Sequence, residues 1–80
     1  MSLVVMTLAR QAARKVVIRQ FQAQGLKLAH IEHRIIVAAA NDYLRDHPEL
    51  IAQAAETVRK VPQLRTLAER EERERRRNRS

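Results

Sequence analysis

The sequence predicts an all-α protein, a small three-to-four-helix bundle with a charged C-terminal helical extension. Three observations carry that expectation. Gly25, Pro48 and Pro62 are the only glycine and prolines among 80 residues, and the stretches between them have helical length. Within each stretch apolar residues recur every three or four positions. The hydrophobic share, 45%, is too high for a wholly disordered chain, and with no cysteine the fold cannot rest on disulfides.

The first helix is expected from about Thr7 to Gln24, with Thr7 as N-cap and Gly25 as the stop. Ala9, Ala12, Ala13, Val16, Val17 and Phe21 fall on one side of it. Arg10, Gln11, Arg14, Lys15, Arg19 and Gln22 fall on the other, with Ile18 among them as a candidate contact with a partner. A tight connection, Gly25 to Leu28, leads to a second helix from about Ala29 to Asp46. Ile31, Ile35, Ala39 and Tyr43 form one row on it, with Ile36, Ala40 and Leu44 beside them and Val37 further round. A helix apolar on so many sides needs several neighbours, so the second helix is expected at the centre.

Proline disfavours the α conformation at the residue before it, which ends that helix by His47. Pro48 and Glu49 suit the start of a third helix, reaching Lys60, with Leu50, Ile51, Ala54, Ala55, Val58 and Val61 in one stripe. Pro62 breaks or kinks the chain again. Leu64, Leu67 and Ala68 give the fourth helix one apolar turn for docking; Glu69 onward has no apolar residue. The pairs Glu69–Arg73, Glu71–Arg75 and Glu72–Arg76 stand at i,i+4 and support a solvent-exposed extension that frays toward its end. The chain thus divides into a bundle over 1–68 and an extension over 69–80. Expected core residues are Val16, Val17, Phe21, Ile31, Ile35, Ala39, Tyr43, Leu44, Leu50, Ala54 and Val58. A chain of 80 residues buries only about 60% of its extended surface, so self-association or docking on a larger assembly is expected.

Charge is the clearest functional signal. Lys and Arg total 16 against nine acids, a formal net charge of +7. The first acid is Glu32; before it stand Arg10, Arg14, Lys15, Arg19 and Lys27. A second basic block, Arg75, Arg76, Arg77 and Arg79, closes the sequence. Such blocks attract polyanions at long range, and arginine forks match phosphate geometry. The expected partner is nucleic acid, DNA ahead of RNA, contacted at its phosphates. Tyr43 and Phe21 are the only aromatics, too few for a base-stacking platform.

Other chemistries find little support. His30, Glu32 and His33 share the start of a helix, but Asp46 and His47 lie at its far end, so a metal site lacks its third and fourth ligands. The only serines are Ser2 and Ser80, and no nucleophile–base pair is visible. No enzymatic activity, cofactor, metal or small-molecule substrate is expected. No apolar run approaches the roughly 18 residues of a membrane span, and nothing basic precedes Leu3 as a secretory signal requires. A soluble cytoplasmic protein is the default.

Two further readings stay open. Gln24 to Ile31 resembles the entry to a helix-turn-helix, but the unbroken apolar stretch from Ile35 to Ala40 leaves no place for the turn. The order of Leu3 to Leu8, the first helix, Gly25 and the second helix resembles that of ribbon-helix-helix proteins over roughly residues 3–46. That resemblance implies a dimeric DNA-binding regulator whose N-terminal strand enters the major groove, with Thr7 able to read a base edge. The alternative of another class is an interaction subunit or adaptor, docking through apolar surface around the second helix and Ile18.

Overall fold

The computed structural model describes residues 2–78. Four α-helices and one short 3₁₀ turn follow in order: α1 Leu3–Ala23, the turn Leu28–His30, α2 His33–Asp46, α3 Glu49–Lys60 and α4 Pro62–Asn78. No strand occurs among the described residues.

α1 begins four residues before the expected start. Ser2, not Thr7, is the N-cap: its Oγ accepts from the N–H of Val5 at 3.4 Å. Leu3 to Leu8 are therefore the first turns of α1, and the strand that a ribbon-helix-helix arrangement needs is not formed. The stop is as expected. Gly25 has φ +86°; its N–H reaches the Gln22 carbonyl at 2.9 Å and the N–H of Leu26 reaches Phe21 at 3.1 Å. This paired closure satisfies the last carbonyls, and it needs the left-handed conformation that glycine adopts without strain.

α2 starts at His33, later than the pattern suggests, because Ile31 and Glu32 are extended. Glu32 is the N-cap residue, but its carboxylate is held by Arg34 Nε at 2.6 Å and not by the helix N–H groups. The proline boundaries hold. α2 closes at His47, and Val61, the residue before Pro62, is extended and breaks the chain into α3 and α4. Across the α2–α3 junction His47 stacks on Tyr43 with ring centroids 4.1 Å apart, and its Nδ1 lies 3.0 Å from Glu49 Oε1. A backbone hydrogen bond at Glu49 and this imidazole together hold the Glu49 carboxyl below the usual carboxylate range.

The centre of the bundle is α1, which packs on α2, α3 and α4, and not α2 as its apolar circumference implied. Its buried residues are Val5, Ala9, Ala13 and Val17, a strict i,i+4 ridge, with both alanines fully buried. Alanine lets neighbouring backbones approach closely, so a thin ridge serves several partners at once. Ala40 and Leu44 from α2 and Ala54 and Val58 from α3 complete the cluster. Ile36 is also buried. Val16, Phe21, Ile31, Ala39, Tyr43 and Leu50 are only half-buried, and Ile35, expected in the core, is 46% exposed. Leu64 and Ala68 dock α4 on the core, whereas Leu67 remains exposed.

Candidate nucleic-acid interface

α1 is long and continuous; beside its buried ridge, Val4, Met6, Leu8 and Phe21 also pack on the core, and the cations occupy the face that stays open. Arg10, Arg14, Lys15 and Arg19 are all exposed. Arg10 and Arg14 form one i,i+4 row, and Lys15 and Arg19 form another. Gln11, Ile18 and Gln22 lie between the two rows at helical spacing; both glutamines are exposed and Ile18 is half-buried. Among the described residues none of these four cations has an ion pair, and Lys27, exposed just beyond Gly25, has none either.

The cations of α2 and α3 behave differently, whereas Arg65, Arg70 and Arg73 of α4 resemble those of α1 in having no ion pair among the described residues. Arg34 pairs with Glu32, Arg45 with Asp42, and both Arg59 and Lys60 with Glu56. In those places an acid stands within one helical turn of the cation. α1 contains no acid, and among the described residues folding brings none within ion-pair distance of its exposed cations. The first helix therefore keeps the unneutralised charge that the sequence implied.

The second basic block sits elsewhere. Arg75, Arg76 and Arg77 occupy the last turn of α4, where cations suit the negative end of the helix dipole. All three are exposed; Arg75 Nη2 is 3.8 Å from Glu71 and Arg76 Nη2 is 3.5 Å from Glu72, as the i,i+4 spacing implies, whereas the Glu69–Arg73 pair expected at the same spacing is not formed. Arg79 lies outside the described residues. The expected site residues thus form two surfaces and not one.

A third charged surface escaped the sequence reading. Arg59, Arg65, Arg73 and Arg76 line a groove between the end of α3 and α4, together with Glu69, Glu72 and Ser2. Arg65, Glu69, Glu72, Arg73 and Arg76 share one helical face, which their spacing shows; that Arg59 joins them follows only from the bend at Pro62. With two acids in the groove, it is less one-sided in charge than α1.

Both aromatics are occupied: Tyr43 stacks on His47, and Phe21 packs against the core. His30 and His33 are exposed, and among the described residues no three His, Asp or Glu side chains are placed to share a metal ion. No helix among these residues is long and apolar enough to cross a membrane.

Like charges at i,i+4 repel by about 0.2–0.5 kcal/mol per pair at low salt, and the Arg10–Arg14 and Lys15–Arg19 pairs add to a net charge of +7. Added salt screens that repulsion. The melting temperature followed by circular dichroism is expected to rise by a few degrees between low salt and about 0.5 M sodium chloride, given the 4–8 °C per kcal/mol typical of small domains. A flat or falling curve would mean that the simultaneous loss of attraction in pairs such as Arg34–Glu32 and Arg59–Glu56 matches or outweighs that relief.

No protein-family model, curated protein or solved structure matches this chain.

Proposed function

We propose that this chain is a small basic nucleic-acid-binding protein with an accessory or regulatory role, non-catalytic and cytoplasmic, that works as a homo-oligomer or as part of a larger assembly. α1 and the arginine-rich end of α4 contact phosphates, on DNA in preference to RNA. The observation that carries the reading is the state of Arg10, Arg14, Lys15 and Arg19: exposed, on one rigid helix, and without an acid. Cations so placed displace counterions from a polyanion without first breaking internal pairs. Affinity of this kind positions a protein on the backbone and does not read sequence. The absence of a free aromatic platform favours duplex over single strand.

The test is the salt dependence of binding to a labelled random-sequence DNA duplex. Four phosphate contacts give a slope of about −3.6 in log K against log salt, hence a loss on the order of 10²-fold between 50 and 200 mM. A change smaller than about threefold over that range would contradict contact through α1.

A second reading has its own observation. Leu26, Leu28, Ile35 and Val37 are each at least 40% exposed, and they cluster in the α1–α2 connection and the first turns of α2. That apolar surface suits an adaptor docking on a protein partner. It predicts weak, nearly salt-independent affinity for nucleic acid, so the same titration separates the two.

A further inference from the structure

The basic face of α1 and the arginine end of α4 are set apart along an elongated molecule. The long axis measures 49 Å against widths of 26 and 22 Å. The radius of gyration is 15.2 Å, where a compact chain of this length has about 12 Å. α1 is roughly 31 Å long at 1.5 Å per residue. α4 packs beside the N-terminal half of α1. Its head, Leu64, lines a groove with Leu8 and Gln11 of α1, and further along Glu71 Oε1 accepts the N–H of Leu3 at 2.6 Å. α4 therefore enters beside the second and third turns of α1 and leaves past its first residue. From Glu71 it continues to Asn78, about 10 Å further. Arg75, Arg76 and Arg77 lie on that overhang, while Lys15 and Arg19 lie in the second half of α1. The separation from the α4 arginines along the helices is roughly 30 Å for Lys15 and Arg19 and about 20 Å for Arg10 and Arg14.

One turn of B-form duplex is about 34–36 Å, and extended arginine side chains cover the difference. From this spacing, and resting on the nucleic-acid reading above, we infer that one molecule contacts a DNA duplex at two places about one helical turn apart, with its long axis along the duplex. The partner is thereby specified as double-stranded DNA at least one turn long.

The orientation of the overhang does not have to be matched finely. Successive helical residues point about 100° apart, so Arg75, Arg76 and Arg77 face most directions around α4 and at least one is turned to the side that α1 presents. The Arg76–Glu72 pair is exposed and of the weak, solvent-screened kind that a phosphate can replace, while Arg75 reaches the half-buried Glu71 only at 3.8 Å. Engaging the second end is then an intramolecular event, and affinity rises through effective concentration and not through any stronger contact.

The test uses the whole chain and fluorescein-labelled DNA hairpins with stems of about 6, 9, 12 and 18 base pairs, roughly 20 to 60 Å long at 3.4 Å per pair. Anisotropy at one salt concentration is expected to show an affinity step of about tenfold or more between the 9- and 12-pair stems, beyond the gain from added registers. The variant Arg75→Gln, Arg76→Gln, Arg77→Gln should lose the step and keep its affinity for the shortest stem within about twofold. Arg75→Lys, Arg76→Lys, Arg77→Lys, which keeps the charge, should retain the step. A smooth rise with length, or an equal loss by the glutamine variant on short and long stems, overturns the two-ended arrangement while leaving phosphate binding by α1 standing. Failure of every stem to bind removes the underlying reading as well.

Discussion

Reversing Arg10, Arg14 and Arg19 to glutamate is expected to weaken duplex binding by 10²–10³-fold at about 100 mM salt and to cut the salt slope to roughly half, three of about seven phosphate contacts being lost. Every phosphate left without its cation keeps roughly 0.9 counterion that binding would otherwise release, and the new carboxylates add repulsion. The fold should survive. All three positions are exposed and none belongs to the buried ridge Val5, Ala9, Ala13 and Val17. A glutamate at 19 also stands at i,i+4 from Lys15 and exchanges a repulsive pair for an attractive one. Helix content by circular dichroism is therefore expected to be unchanged.

The informative comparison is a control matched in charge. Reversing Arg34, Arg45 and Arg59 changes the net charge by the same amount, but those side chains are already held by Glu32, Asp42 and Glu56. That variant should lose less than about tenfold, through the long-range field alone. Equal losses in both variants would mean that affinity follows net charge and that α1 has no special place in it. The comparison separates an interface from a merely basic protein, which no measurement on a single variant can do.

How much of this was legible in the sequence depended on how local the cause was. The breaks at Gly25, Pro48 and Pro62 were legible because each follows from the backbone chemistry of one or two residues. The exposure of the α1 cations was legible because it needs only a helical period and the positions of the acids. The start of α1 was not. Val4, Val5 and Thr7 are β-branched and read as strand-like, yet the Ser2 cap and the burial of Val5 place them in the helix. The centre of the bundle was misread for a related reason. Apolar bulk ranked α2 first, while Ala9 and Ala13, small and unimpressive in a sequence, are what allow three neighbours to close on α1. The position of the terminal arginines depends on the bend at Val61 and on where Glu71 meets Leu3, a contact 68 residues apart in sequence that no local pattern reports.

Ile35 and Ile36 offer the sharpest test of that packing, because they are neighbours of identical chemistry. Ile36 is 3% exposed and Ile35 is 46% exposed. Ile36→Ala is expected to destabilise by about 2–5 kcal/mol, the range for truncating a buried isoleucine and leaving its space unfilled. Ile35→Ala should cost less than about 1 kcal/mol, since half of its side chain already meets water. Against a total stability of about 4–12 kcal/mol for a chain this size, the first substitution removes a large fraction and lowers the melting temperature by about 10 °C or more, while the second shifts it by a few degrees. The opposite order would restore the row Ile31, Ile35, Ala39 and Tyr43 as the packed face of α2. Equal, large effects would have a different meaning. They would require Ile35 to be covered in solution by something outside the single chain, and light scattering on the wild-type protein would then have to show a mass above 9.3 kDa. A monomeric mass with both substitutions severe is, like the opposite order, a combination that this packing arrangement does not permit.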